Sequence, residues 1–215
     1  KNKVIMVGLA SGLILGNLGF SHCSIEDIGV LRSIPNLTII SPSDSLETAK
    51  AIIASVDHHE SVYIRLTGGS NNPIVNQKDY SFEIGKAELL KKGKGILIIS
   101  NGMMVKKSLE ISEELEKNNF KPSVLNMHTI KPLDNTQLDQ IIEQYDFCFT
   151  IEEHNVFGGL GSAISEYLAQ KNKNIKFHSF GIQDKYIKSG SYNYLLKEYG
   201  LDNETIIKKI INIVS

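Results

Sequence analysis

Short apolar runs alternate with amphipathic stretches along the chain, and their order predicts strands alternating with helices. Residues 4–7 are apolar throughout, residues 37–40 are nearly so, and residues 61–66 form a third run. Between the first two, Ile25, Ile28 and Leu31 share one helical face, with Ser24 at the N-cap position and Asp27 three residues on. Pro35 is expected to stop that helix, because it lacks an amide and restricts the residue before it. Asp44 and Glu47 repeat the capping pattern ahead of an apolar-rich helix through Val56. The first 70 residues therefore read β-α-β-α-β.

Residues 67–81 break the pattern. Gly68, Gly69, Ser70, Asn71, Asn72 and Pro73 disfavour a packed regular element, so residues 71–81 are taken as a linker. The alternation then restarts. A strand over 96–99 precedes Asn101-Gly102 and a helix over 103–117. A strand over 123–127 precedes Pro132-Leu133-Asp134, where Asp134 and Gln137 open another helix. A strand over 147–151 runs through glycines into a helix over 162–169, and a strand over 175–180 is followed by two closing helices.

Buried strands separated by helices define the expected class: α/β, three-layer, with mostly parallel sheets and helices on both faces. Two domains are expected, 1–70 and 82–215. The first, with three strands and two helices, reads as truncated, its sheet edge needing cover from missing sequence, a partner subunit or the remainder of a fragmented chain. Lys1 in place of an initiating Met agrees with that expectation.

Composition narrows the function classes. Of 215 residues, 23 are Lys or Arg and 24 are Asp or Glu, for a formal charge of -1. That balance predicts neither a nucleic-acid surface nor a polybasic membrane anchor. The longest apolar runs are too short to span a bilayer. Cys23 and Cys148 lie too far apart in sequence to suggest a metal or redox motif, and a reducing, cytoplasmic setting is expected.

Several polar residues are candidates for chemistry. His22 follows the glycine-rich turn Gly16-Asn17-Leu18-Gly19 and precedes a helix start. An imidazole there is placed to donate to a sugar hydroxyl or to exchange a proton near neutral pH. Glu26 and Asp27 fall in the first helical turn, where the dipole favours carboxylates, and Glu26 is also placed to reach an interface. Glu152-Glu153-His154 precedes Gly158-Gly159-Leu160-Gly161, a strand-to-helix passage whose amides suit an anion. It is neither a dinucleotide fingerprint, a P-loop nor a zinc motif. Those three side chains are expected to cap, to pair with Lys or Arg, or to organise a subunit contact. His58 and His59 read as helix-end residues, His128 as a sheet-end residue near the first domain, His178 as a core or domain-contact residue and Asp184 as a turn residue.

The segment SHCSIEDIGVLRSIPNLTIISPSDSLETAK resembles the second half of the pyrimidine-binding domain of transketolase and 1-deoxyxylulose-5-phosphate synthase, with Ser21 where threonine is usual. MHTIKPLD (127–134), IEEHNVFGGLGSAISEYL (151–168) and FGIQDKYIKSGSYNYLLKEYGLD (180–202) resemble the family's C-terminal domain. This resemblance implies a thiamine-diphosphate transferase that moves a two-carbon ketol unit from a ketose donor to an aldose acceptor. It implies that the cofactor binds between the pyrophosphate-binding domain of one subunit and the pyrimidine-binding domain of another. By the same resemblance His22 is the catalytic and substrate-binding histidine that contacts donor hydroxyls. Arg65 is a further substrate-binding candidate, and Glu26, Glu152, Glu153 and His154 are interface candidates in a dimer or heteromer.

The departures from the family pattern shape the expectation. The glutamate that activates the aminopyrimidine, the aromatic face that stacks on it, and the whole pyrophosphate and magnesium domain fall outside this segment. No cofactor-binding or metal-ligating residue is therefore assigned, and thiamine diphosphate and Mg2+ are expected in the complete enzyme but not on this chain alone. Leu18 stands where an aspartate is usual, Ala10 where a phosphate-binding histidine is expected, and Gly68 where an arginine is common. A lost guanidinium leaves either an unphosphorylated substrate or a grip supplied by Arg65 or another chain. The isolated chain is expected to be inactive, with an N-terminal segment or subunit completing it. The alternatives are a 1-deoxyxylulose-5-phosphate synthase-like enzyme, a 2-oxoacid dehydrogenase β subunit, or a non-catalytic assembly module.

Overall fold

The computed structural model describes residues 2–68, 73–76, 78–172 and 174–215. Two sheets, each with helices on both faces, form the expected α/β layers. The first has the order β1 (Ile5–Gly8), β3 (Ser61–Arg65), β2 (Leu37–Ile40), β7 (Thr129–Lys131). Its first three strands are parallel, and β7 lies antiparallel on β2. The second has the order β4 (Glu88–Lys91), β6 (Ser123–Asn126), β5 (Gly95–Ser100), β8 (Tyr145–Asn155), β9 (Lys176–Ile182), with only β4 antiparallel.

Strand alternation sorts the core into layers. In the first sheet, Ile39 and Tyr63 face Ile28 of α1 (Asp27–Arg32), while Ile40, Val62 and Ile64 face Ala51 of α2 (Ser45–Asp57). In the second, Ile96, Ile98, Phe149 and Phe180 pack on α3 (Met104–Lys117), α6 (Tyr192–Glu198) and α7 (Asn203–Val214). Leu97, Ile99, Leu125 and Cys148 pack on α4 (Asn135–Ile141) and α5 (Leu160–Gln170) on the other face.

The sequence does not announce β4 or β7. β7 has only three residues, yet it closes one side of the short first sheet, so the edge expected to need cover is partly covered from within the chain. The opposite edge, β1, is exposed on both faces, with Val4, Ile5, Met6 and Val7 each 37–52% accessible. Of the expected linker, residues 71, 72 and 77 lie outside the described residues, as do Gly69 and Ser70 just before it. Within it, the amides of Val75 and Asn76 donate to the Asp44 carboxylate.

Two capping expectations hold and one fails. Asp44 accepts from the Glu47 amide and Asp134 from the Gln137 amide. Ser24, expected as the N-cap of the first helix, does not cap it. The helix begins at Asp27, because Ser24 instead pairs with the loop after β1, its carbonyl accepting from the Gly12 amide.

β8 outlasts its neighbours and carries residues 152–155 to the first sheet, where the Asn155 amide donates to the Ile25 carbonyl at 2.7 Å. Leu13, Cys23 and Ile25 share one apolar cluster with Ile187 and Leu195. The two halves therefore meet through a common core.

Candidate functional site

The carboxyl ends of β1, β2 and β3 open into a crevice of about 160 Å³. Ends of parallel strands are where open α/β sheets bind ligands. Ser43, Ser45, Thr48 and Thr67 give it hydroxyls, Asp44 an acid, and Leu9, Leu66 and Met103 an apolar wall. Gly68 lies on its rim, where an added Cβ would sit 3.6 Å from the Ala10 amide nitrogen. The two positions where the family pattern leads one to expect a basic side chain thus adjoin, and neither carries one.

His22 ends a one-turn 3-10 helix, residues 20–22, just before α1. Its ring is exposed, with Nδ1 3.0 Å from the Ser21 hydroxyl, and its amide donates to the Gly19 carbonyl. Among the described residues none hydrogen-bonds its other ring nitrogen, so the imidazole is available to an outside hydroxyl. Glu26 is exposed nearby, its carboxylate accepting from the Ile25 amide through one oxygen, which leaves it accessible to a partner.

Arg65 is not available to substrate. It is 3% exposed, and its Nε donates to Asp27 Oδ2 at 2.8 Å. One terminal nitrogen donates to the carbonyls of Ser24 and Glu153, both at 3.0 Å. A guanidinium committed to three internal acceptors braces the fold, which corrects the expectation that it grips a phosphate. Asp27 also accepts from the Tyr63 hydroxyl at 2.8 Å. Burial works to raise the Asp27 carboxyl, but the Arg65 charge and the hydrogen bonds from Arg65 and Tyr63 hold it below the ordinary carboxylate range.

Glu152, Glu153 and His154 all lie inside the chain. Glu152 accepts from the amides of Leu160 and Gly161, so it caps α5, whose N-cap residue Gly159 offers no side chain. Burial pushes its carboxyl up to about 7, against those two donors. Glu153 accepts from the Leu13 amide and from the Tyr192 hydroxyl, the latter at 2.6 Å. Burial raises its pKa as well, against the same two partners. His154 Nδ1 donates to the Asn155 carbonyl, and Nε2 accepts from the Gly29 amide at 3.2 Å. Burial, helped by the Arg65 charge, drives its pKa down to about 4, so the ring is neutral and its 3.9 Å approach to Asp27 is no ion pair. Glu153 and His154 thus join the two halves of one chain, Glu152 holds the start of α5 within the second half, and their burial leaves none of the three exposed to another subunit.

Tyr63 and Tyr192 complete this network, and sequence reasoning passes over both. The only available signal is a polar-tipped aromatic in an otherwise apolar strand, for Tyr63, and a tyrosine just past a glycine turn, for Tyr192. Among the described residues no group of three or more His, Cys, Asp or Glu side chains could hold a metal ion. The crevice is also smaller than the roughly 300–1,000 Å³ of ordinary small-molecule sites.

Two family models match the chain: the transketolase pyrimidine binding domain over residues 1–72 and the transketolase C-terminal domain over residues 85–206. The chain belongs to the transketolase family. A putative transketolase C-terminal section from Methanocaldococcus jannaschii is 37% identical over 98% of this chain and 66% of its own length. One subunit of an apulose-4-phosphate transketolase from Phocaeicola vulgatus is 32% identical over the whole chain and 68% of its own length. A solved split-gene transketolase, described as an inactive beta4 tetramer, superposes with a TM-score of 0.84 at 30% identity, covering 97% of this chain and 65% of that one. The chain thus spans about two thirds of these transketolase relatives. Within the transketolase fold seen here, the His22 turn belongs to the first matched domain, the strand-end crevice is lined by that domain together with Met103 of the second, and the buried brace lies where the two matched domains meet.

Proposed function

We propose that this chain is one portion of a thiamine-diphosphate-dependent transketolase that moves a two-carbon ketol unit from a ketose to an aldose. Residues 1–70 are the later part of its pyrimidine-binding domain and residues 82–215 its C-terminal domain. The observation that carries this reading is an exposed imidazole, His22, on the turn before α1, in a chain that matches the family's pyrimidine-binding and C-terminal domains and covers only part of its relatives. In this role His22 donates to a hydroxyl of the ketose donor next to the reacting carbon.

The described residues do not fit thiamine diphosphate and Mg2+ by themselves, since they present no metal-ligating group and too small a crevice. A further segment or subunit therefore clasps the cofactor, and the exposed β1 edge and Glu26 are available to it. The cofactor then supplies the carbanion chemistry, while this chain binds and orients the sugar. The inactive state named for the split-gene relative agrees with an isolated chain that does not turn over. The sheltered thiols of Cys23 and Cys148 suit a cytoplasmic enzyme.

The test is reconstitution with polypeptides supplying both the part of the pyrimidine-binding domain that the relatives carry beyond this chain and a pyrophosphate-binding domain, assayed with phosphorylated and unphosphorylated ketoses and with pyruvate. The isolated chain is expected to bind no thiamine diphosphate by calorimetry and to show no ketol transfer. In the complete enzyme His22→Ala is expected to lower kcat/KM by about a hundredfold or more. Full turnover by the isolated chain, or an unaffected His22→Ala enzyme, would overturn the reading. Activity confined to pyruvate would reassign it to the 1-deoxyxylulose-5-phosphate synthase or 2-oxoacid dehydrogenase chemistry.

A further inference from the structure

The loop that presents His22 is held almost entirely by one stretch of the other half of the chain. Residues 13–22 follow the loop after β1, and the chain pairs with that loop again only at Ser24, which bridges to Ser11 and Gly12. Apart from bonds within the loop and the bond of the Leu13 amide to Glu153, their hydrogen-bond and ring partners over that distance come from residues 186–195, just before and within α6. The Gly190 amide donates to the Gly16 carbonyl at 3.0 Å, and the Ser189 hydroxyl to the Asn17 carbonyl at 2.9 Å. The Phe20 ring leans on Tyr186, their centroids 5.3 Å apart at 58°. Gly16 itself lies so close to α6 that an added Cβ would fall 2.0 Å from a Leu195 methyl. At the root of the loop, Tyr192 and the Leu13 amide share the buried Glu153 carboxylate.

Burial alone does not explain this arrangement. Leu195 and Ile187 are buried, as a packing contact requires, but Phe20 and Tyr186 are 59% and 85% exposed. An exposed ring pair gains little from burial, yet it lies two residues from His22 and fixes the direction of the turn.

We propose that residues 186–195 are the positioning element for His22, with Tyr186 and Ser189 setting the place of its imidazole without touching the substrate. The proposal rests on the role given to His22 above, and it gives the second half of the chain a part in substrate recognition. Displacing a contacting group by an ångström is enough to cost a large factor in rate when orientation carries the effect.

The test uses Tyr186→Ala, Ser189→Ala and the conservative Tyr186→Phe. Tyr186 is well exposed, so its replacement leaves the core intact. In this chain, hydrogen exchange of the amides of residues 16–22 is expected to quicken about three- to tenfold in Tyr186→Ala, with β3 and β5 unchanged and Tyr186→Phe as slow as the parent. In the reconstituted enzyme, kcat/KM for the ketose is expected to fall about tenfold in Tyr186→Ala and to recover in Tyr186→Phe. The double variant with His22→Ala is expected to be no slower than His22→Ala alone, because both changes remove one interaction. Unchanged exchange in residues 16–22, or losses that multiply in the double variant, would overturn the positioning role. If His22→Ala alone left the rate untouched while exchange quickened as stated, the function proposed for His22 would fall and the brace would stand.

Discussion

His128 shows what burial does to a single titratable group. It is 2% exposed, packed against Phe82 with ring centroids 4.4 Å apart and the planes tilted by 32°, and bonded through Nδ1 to Thr129 Oγ1. Burial drives its pKa down to about 4, although the Asp134 charge opposes the shift. An unfolded histidine titrates near 6.5, so the unfolded chain takes up the proton first as the solution is acidified. The stability this neutral ring contributes is complete above about pH 6.5 and is lost as pH falls towards 4. The drop in unfolding free energy between about pH 7 and 4.5 is expected to be smaller in His128→Leu than in the parent, by on the order of 2–3 kcal/mol, read from urea titrations at both pH values. Equal drops would show that the ring is not held neutral. Glu152 slopes the other way, since a carboxyl pushed up to about 7 keeps its stability below about pH 4.5 and loses it as pH rises. The difference between variant and parent is therefore the quantity to read.

At the scale of elements, the passage from β8 into α5 shows why glycines recur there. Gly159 has an ordinary negative φ, so its conformation does not require glycine. The space does: an added Cβ would lie 2.1 Å from Glu152 Oε2 and 2.7 Å from His154 Nδ1. Gly159→Ala must displace the carboxylate that caps α5, at a cost of about 1–3 kcal/mol, visible as a lower urea midpoint with an unchanged slope. A midpoint equal to the parent's would mean that Glu152 is free to move. Such elements are legible in sequence to differing degrees. The parallel strands are continuous apolar runs because both faces are buried, and the pattern locates them with ends shifted by a few residues. β4 is hidden because only Leu89 and Leu90 break a polar stretch, and β7 because three residues carry no period. His22 stands out beside a glycine turn, whereas the partners of Arg65 lie 38, 41 and 88 residues away, a distance that no local pattern encodes. That is why a structural arginine reads as a binding one.

Across the whole molecule, packing continues over the boundary drawn near residues 71–81. β7 adds to the first sheet from the far side of that boundary, and Lys131 Nζ donates to the Arg32 carbonyl at 2.9 Å. Asn126 of β6 donates to the buried Glu47 of α2 at 2.8 Å, and the apolar cluster around Leu13 and Leu195 draws on both halves. Arg65 is the charged centre of this seam. Removing it leaves Asp27 buried without its counter-charge and takes one donor from each of the Ser24 and Glu153 carbonyls, of which Ser24 keeps the Gly12 amide, while removing the pair together leaves only the carbonyls affected. The parent is therefore expected to unfold in one transition, followed both by tyrosine fluorescence and by far-ultraviolet dichroism. Arg65→Met is expected to cost about 3–5 kcal/mol, roughly 6–20 °C in Tm for a chain of this size. Asp27→Asn with Arg65→Met should recover part of that loss, because an uncompensated buried charge accounts for much of it. Two separate transitions in the parent, or an Arg65→Met chain as stable as a surface variant, would mean that the halves fold independently, and a brace running from the second half to the His22 turn would then have no rigid footing.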